Sequence, residues 1–151
     1  LLCYINYGDN MRVFYIFNIR EEFKYLYQDS PSMLYNILKQ IYYLGHDDIL
    51  YGQNLFRQLT KSLPKEQIDR ALFIKLHQEF PYSKRGDNHI INNLYTNEIS
   101  KLVVKNAYMK IKTEKNTSSF FPYLSEFSNS LFVCDFEYSD FFFLEKTKTL
   151  V

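Results

Sequence analysis

The chain has no tryptophan, few glycines and prolines, and no excess of charge of either sign. It contains 4 Gly and 4 Pro in 151 residues, and its 18 basic and 17 acidic side chains leave a formal charge of +1. Four separated glycines offer no Gly-rich phosphate loop, and a charge near zero offers no basic field for a nucleic-acid backbone. Nucleotide binding through such a loop and direct nucleic-acid binding are therefore not expected.

Cysteine and long apolar runs are also scarce. Cys3 and Cys134 allow at most one disulfide, and Cys134 lies in an apolar run that is typical of a buried free thiol. No apolar run approaches the roughly 20 residues of a membrane span. The first residues lack the positive segment and cleavage site of a secretory signal. We therefore expect a soluble protein of the reducing cytoplasm, without a membrane partner.

The length suits one domain with one core. Residues 1–10 are expected to be an N-terminal extension outside the core, and residues 11–151 to form a single domain. Residues 12–19 carry apolar side chains on both faces and predict a central strand. A helix is expected from Arg20 onward, with a kink or a restart at Pro31. After Pro31 its predicted apolar stripe consists of Met33, Leu34, Ile37, Leu38 and Ile41.

The later segments continue the alternation of strands and helices. Residues 48–56 predict a second strand, in which Gly52 marks a bulge or a close backbone approach. The segment 81–97 is compatible with a short helix or with part of an edge strand. The remaining predictions are a helix after Pro64 with an apolar stripe of Ile68, Leu72 and Leu76, a hairpin over 101–114, a helix after Asn116, and two strands between 130 and 146. Together they predict an α+β two-layer sandwich, with about three helices on a mixed sheet of about 5–6 strands.

Candidate catalytic residues do not form a recognisable motif. His46, Asp47 and Asp48 have ligand chemistry suited to a metal, but three adjacent residues after a glycine are more typical of a solvated turn. His77 falls near a predicted helix end, where it can satisfy the last carbonyl groups. We therefore assign no catalytic, cofactor-binding or metal-binding residue, and expect no cofactor.

Aromatic residues are the one marked excess. The chain has 14 Phe and 14 Tyr, or 19% of its residues. Much of this must be core, but tyrosine also suits interfaces, because its ring contributes area while its hydroxyl tolerates water. This composition favours an interaction protein over an enzyme.

Four stretches carry a resemblance to a known family. They are IREEFKYLY at 19–27, SPSMLYNILKQIYYL at 30–44, KLVVKNAYMKIKT at 101–113 and FSNSLFVCDFEYSDFFFLEKTKTLV at 127–151. In order and spacing they resemble the sporulation inhibitor of replication family, SirA. The resemblance implies a bacterial α/β protein without enzymatic activity that binds domain I of the replication initiator DnaA and so restrains replication initiation.

The resemblance also implies a binding site. The family's Glu-Glu-Phe-x-x-x-Tyr pattern on the first helix falls on Glu21, Glu22, Phe23 and Tyr27, and a further contact at the start of the second strand falls on Asp48. Phe23 and Tyr27 are four residues apart, so one helix face can present both rings to a partner, with Tyr25 at the margin. The alternative is that Phe23 belongs to the core.

Two other functions remain open from the residues alone. The first is a small enzyme or ligand-binding domain that uses His46, Asp47 and Asp48, or the polar segment around Asn88 and His89. The second is a binder of single-stranded nucleic acid that combines exposed aromatic rings with nearby lysines. These lysines are Lys101, Lys105, Lys110 and Lys112.

Overall fold

The computed structural model describes residues 11–45 and 48–145, which contain seven strands and five helices. The strands are β1 (Arg12–Asn18), β2 (Tyr82–Arg85), β3 (Asn88–Asn93), β4 (Glu98–Val104), β5 (Met109–Thr113), β6 (Leu131–Asp135) and β7 (Asp140–Phe143). The helices are α1 (Glu21–Tyr27), α2 (Pro31–Tyr42), α3 (Ile49–Leu59), α4 (Lys65–Leu76) and α5 (Phe121–Leu124). In these described ranges no helix has the length and hydropathy needed to cross a bilayer. The extension predicted at 1–10 lies outside the described residues.

All seven strands form one sheet with the order β2-β3-β4-β5-β1-β6-β7, and every neighbouring pair is antiparallel. The interior position of β1, between β5 and β6, confirms the prediction from its two apolar faces. The predicted mixed sheet is wrong, and the strand number was too low. Helices that follow a strand can cross over to a parallel neighbour, but the helices after β1 lead the chain to β2 at the far edge of the sheet. Antiparallel hairpins then build the sheet back to β1.

Helices cover both faces of the sheet, so the molecule has three layers and not the expected two. Successive side chains on a strand point to opposite faces. Phe14 and Ile16 of β1 belong to one apolar cluster, and Phe17 and the following Ile19 belong to a second. The helix residues buried in these two clusters are Ile68, Leu72 and Leu76 of α4 and Phe121 and Leu124 of α5 in the first, and Leu34, Tyr35 and Leu38 of α2 and Leu59 of α3 in the second. We call these the first and the second cluster.

The predicted break at Pro31 is confirmed, because α1 and α2 are separate helices and Pro31 is the first residue of α2. Proline suits this position, since its missing N–H would have no partner there. Leu34 and Leu38 of the predicted apolar stripe are buried. Met33 was assigned to the same stripe but is 56% exposed, whereas Tyr35 is buried.

The strand predicted over 48–56 is wrong, because these residues belong mainly to helix α3. Gly52 and Leu59 are buried and Leu55 packs on the second cluster, which gives the i, i+3, i+7 spacing of a helix. The predicted segment ended before Leu59, so that spacing was incomplete. The close approach suggested for Gly52 does occur, because a Cβ there would lie 2.5 Å from Cδ1 of Leu44.

The remaining segments are mostly hairpins. The segment 81–97, whose sequence is compatible with a short helix or with part of an edge strand, contains the β2–β3 hairpin, with Gly86 at a φ of 57° in its turn. The predicted hairpin over 101–114 is formed by β4 and β5. The two predicted C-terminal strands are β6 and β7, joined by a turn in which Ser139 has a φ of 56°. The helix predicted after Asn116 is the short α5.

Candidate functional site

Helix α1 begins directly after the interior strand β1, and backbone hydrogen bonds fix this junction. The amide of Arg20 donates to the carbonyl of Leu59 at 2.9 Å, and the amide of Ile19 donates to the carbonyl of Ser130 at 2.9 Å. Ile19 also forms an antiparallel bridge with Thr60. A seven-residue helix is not stable alone in water. Here its orientation is set by the sheet and by the end of α3.

Charged side chains stabilise the flanks of α1. Glu21 and Glu22 lie in the first turn, where they interact favourably with the positive end of the helix dipole. The ammonium group of Lys24 donates to the carbonyl of Asn129. Nε of Arg20 donates to the carbonyl of Arg57 at 3.2 Å. These contacts hold the helix in place without using its aromatic side chains.

None of the seven residues of α1 is fully buried, although most of them are apolar or aromatic. Phe23 and Tyr27 are half-buried and pack against the second cluster. Tyr25 and Leu26 are 75% and 64% exposed, and Glu22 is exposed as well. Phe23 and Tyr27 therefore contact the core with one edge, while Tyr25, assigned to the margin, lies at the outer surface. We call Glu22, Phe23, Tyr25, Leu26 and Tyr27 the α1 face.

Leu26 was not among the residues singled out in the sequence. A short helix that precedes Pro31 can turn only one side toward the sheet. Phe23 and Tyr27, one turn apart, share that side, whereas Tyr25 points away from it. Leu26, three residues after Phe23, lies at the border of that side and is largely exposed. The break at Pro31 was thus the available signal.

Asp48 lies apart from the other predicted contact residues. It is exposed, precedes helix α3 and makes no capping hydrogen bond with its side chain. Its expected place at the start of a second strand is therefore wrong, because that segment is helical. In the described part of the chain, no hydrogen bond or ion pair joins Asp48 to the α1 face.

The structure gives no support to a metal site among the residues that it describes. His46 and Asp47 lie outside these residues. Within 11–45 and 48–145, no three His, Cys, Asp or Glu side chains are grouped to hold a metal. The pocket beside the start of α3 includes Ile49, Gln53 and Phe56, and none of its described lining residues carries a carboxylate or an imidazole.

Two other candidate residues have structural roles. Nδ1 of His77 lies 3.0 Å from the carbonyl oxygen of Phe73 at the end of α4, which confirms the predicted capping role. Cys134 is fully buried, as predicted, and burial raises the pKa of its thiol. Because the thiolate is the nucleophilic form, this environment disfavours reactivity.

His89 is the centre of a buried polar network that the sequence did not reveal. Its Nδ1 lies 2.9 Å from the hydroxyl of Tyr82, and its Nε2 lies 2.7 Å from Oδ1 of Asp69. Nζ of Lys65 lies 2.7 Å from the other oxygen of Asp69. Both imidazole nitrogens are satisfied and the ring is fully buried. The network therefore links α4 to the β2–β3 hairpin and exposes no nucleophile.

Fold and surface together define a small α+β domain that presents apolar side chains on its helices. The sequence matches the family described as sporulation inhibitor of replication protein SirA over residues 12–148, and the chain belongs to this family. No curated protein matches it. Membership implies a sporulation-linked inhibitor of replication. The family is known to act on the replication initiator, as regulatory inhibitors and not as enzymes.

Proposed function

We propose that this protein inhibits replication initiation by binding domain I of DnaA through the α1 face. The observation that carries the proposal is the exposure of α1, which is anchored at its start by backbone hydrogen bonds yet contains no fully buried residue. A contiguous apolar patch on a soluble domain is typical of a protein-binding surface. Inhibition then needs no chemistry, since occupation of domain I is sufficient.

Phe23 and Tyr27 suit the centre of such an interface. Their inner edges pack on the second cluster, so their side chains are ordered before the partner binds. Preordered rings lose less conformational entropy on association, and aromatic anchors often dominate binding energy. Truncation of either ring should weaken binding by about 2 kcal/mol, or about 30-fold in Kd.

Tyr25, Leu26 and Glu22 would surround these anchors. Tyr25 and Leu26 offer exposed apolar area, and Glu22 offers a charge at the rim, which affects the association rate more than the final affinity. We retain Asp48, directly before α3, as an outlying contact. Its substitution by Ala should therefore matter less than the loss of an aromatic ring.

Calorimetric titration of the full chain with isolated DnaA domain I from the same source tests the proposal. The variants are Phe23→Ala, Tyr25→Ala and Tyr27→Ala, and the matched control is Tyr95→Ala, which removes a ring that is 94% exposed between β3 and β4. We expect one-to-one binding that the α1 variants weaken and the control leaves unchanged.

Tyr25→Ala is the variant that tests binding without a change in core packing. Phe23 and Tyr27 also contact the core, so urea unfolding must show that their variants are folded before weaker binding is interpreted. Tyr25 is largely exposed, and its loss should not affect stability. The proposal fails if folded wild-type protein gives no heat, or if all three α1 variants bind as tightly as wild type.

A further inference from the structure

On the sheet face that carries α1, α2 and α3, the helices do not cover β3, β4 and β5. An open groove there is lined by residues of β1, β3, β4 and β5 or their immediate ends. One row of paired residues crosses four strands: Val13 pairs with Lys112, Lys112 with Lys101, and Lys101 with Ile90. The neighbouring row contains Lys110 beside Val103. Lysines therefore lie among aliphatic side chains on this half of the face, and Lys112 and Lys101 are direct neighbours.

The groove concentrates positive charge in a chain that is nearly neutral. Lys101, Lys105, Lys110 and Lys112 all line it, and none of them forms an ion pair within the described residues. Lys101 and Lys112 are directly opposite on adjacent strands, an arrangement that disfavours folding through like-charge repulsion. We call these four residues the lysine face. An anionic ligand would relieve the repulsion.

An apolar pocket adjoins the lysine face at the boundary with the helices. It has a volume of about 240 Å³, and its lining includes Tyr15, Tyr42, Phe56, Ala107 and Tyr108. A dry cavity of roughly 150 Å³ already accepts benzene. The pocket is therefore large enough for one Phe or Leu side chain.

Two lysines connect the pocket to the lysine face. Nζ of Lys110 lies 5.7 Å from the ring centroid of Tyr15, and Nζ of Lys105 lies 5.7 Å from that of Tyr108. Both ammonium groups thus stand beside rings that line the pocket. A ligand with an apolar anchor and neighbouring negative charges would satisfy both features at once.

We propose that an acidic segment of a partner protein binds here, with one large apolar side chain in the pocket and its carboxylates on the lysine face. Val13 and Val103 are the aliphatic residues that line the groove beside its lysines, and the nearby rings of Tyr15 and Tyr108 are half-buried in the pocket wall instead of forming a row of exposed platforms on which unpaired bases stack. This favours a peptide over single-stranded nucleic acid. The proposal uses no residue of the α1 face, so it stands or falls separately from DnaA binding there.

Fluorescence anisotropy with the full chain tests this proposal. The probe is a short labelled peptide in which one Phe is flanked by Glu on both sides, and the matched peptides carry Ser for Phe or Lys for Glu. We expect saturable binding at low salt that weakens as salt is added, and that is lost when the Glu residues become Lys. Replacement of the Phe by Ser should weaken binding about tenfold or more.

Protein variants locate the binding. Lys110→Glu reverses a charge beside the pocket, and Ala107→Phe fills the pocket from an exposed position. Each should weaken binding about tenfold, whereas Lys84→Glu, on the opposite sheet face in register with buried His89, should change it less than about twofold. Tyr25→Ala should bind the peptide normally.

Several results would overturn the proposal. They are no binding of the peptide by folded wild-type protein, equal effects of Lys110→Glu and Lys84→Glu, or no effect of Ala107→Phe. Urea unfolding verifies that each variant is folded, and Lys112→Glu, at an exposed position, replaces Lys110→Glu if the latter is not. An oligothymidylate that binds more tightly than the peptide, without dependence on Ala107, would make this a nucleic-acid surface instead.

Discussion

Replacement of His89 by Ala is expected to destabilise the fold by about 3–5 kcal/mol, although His89 has the side chain of a catalytic residue. The ring is fully buried between the hydroxyl of Tyr82 at 2.9 Å and a carboxylate oxygen of Asp69 at 2.7 Å. Its loss would leave both partners without their buried hydrogen bond. The same loss would remove the hydrogen-bonded link between α4 and the β2–β3 hairpin.

The magnitude follows from these contacts. A buried polar group that loses its partner costs about 1–3 kcal/mol, and the hydroxyl of Tyr82 has no other hydrogen bond in the described residues. The lost hydrogen bond to Asp69 costs less free energy, because this carboxylate is 14% exposed and keeps its contact with the ammonium group of Lys65 at 2.7 Å. The empty space left by the imidazole adds a packing cost.

The pH dependence has a defined sign. Burial lowers the pKa of His89 below its usual 6.5, and this effect outweighs the hydrogen bond and charge of Asp69. The unfolded chain therefore takes up a proton before the folded chain does, and stability falls as the pH decreases below about 6.5. Burial alone would raise the pKa of Asp69, but hydrogen bonds from His89 and Lys65 lower it. The stability that Asp69 contributes is lost only as the pH falls below 3.8.

Urea unfolding at about pH 7 and about pH 5 separates these contributions. Wild type should lose stability between the two pH values, and His89→Ala should be less stable at both but lose less between them. His77→Ala is the matched control, since this exposed histidine caps α4 and has no hydrogen bond to the network. A His89→Ala variant as stable as wild type would refute the structural role of the network, as would a wild type that gains stability relative to the variant at the lower pH.

Two further predictions concern other buried groups. Glu98 accepts hydrogen bonds from the hydroxyls of Ser100 and Ser119 and from the Ser119 amide, and although burial opposes it, these bonds lower the pKa of Glu98. Glu98→Gln should cost about 1–3 kcal/mol in urea unfolding, and the difference from wild type should shrink as the pH falls below 4.5; equal stabilities at neutral pH would contradict this. In a Cys3→Ser variant, buried Cys134 should react with a thiol reagent only after unfolding, and rapid native-state labelling would show that the site opens.

The sequence predicted those elements whose position depends on a few neighbouring residues. Proline at position 31 marked the break between α1 and α2, and the apolar faces of β1 marked an interior strand. The helical spacing through Leu59 was missed because the predicted segment ended before Leu59, and Gly52 leaves room for the side chain of Leu44. Strand direction depends on which strands meet across the whole chain, which no local pattern states. The antiparallel pairing of the strands and the helices on both faces of the sheet therefore became evident only in the structure.

For the candidate sites too, the sequence predicted local spacing but not tertiary position. The four-residue spacing of Phe23 and Tyr27 correctly placed both on one side of α1, but which side faces the sheet is a tertiary property. For that reason Tyr25 and Leu26, and not the two predicted rings, are the most exposed apolar residues of the helix. Asp69, Tyr82 and His89 come from three elements without any shared motif, so their network was not foreseeable from spacing.

For the lysine face, the sequence predicts which side of each strand carries the lysines, but not whether helices cover that side. Alternation along a strand places Lys110 and Lys112 on one side of β5, and Lys101 on one side of β4, from the sequence alone. Whether that side is covered depends on where the helices of the same layer end. They end near β1, because the second cluster extends from β1 toward β6 and β7.

The interior strand β1 connects the two proposed surfaces, since it ends at the junction with α1 and contributes Tyr15 to the aromatic pocket. Coupling between two sites requires an element with two alternative arrangements that both ligands bias. β1 is a poor element of this kind, because it is hydrogen-bonded to β5 and β6 on its two sides and Phe14 and Ile16 are fully buried. A shift by one residue would exchange its core-facing side chains with those of the other face. A partner on the α1 face and an acidic segment on the lysine face should therefore bind independently, with free energies that add.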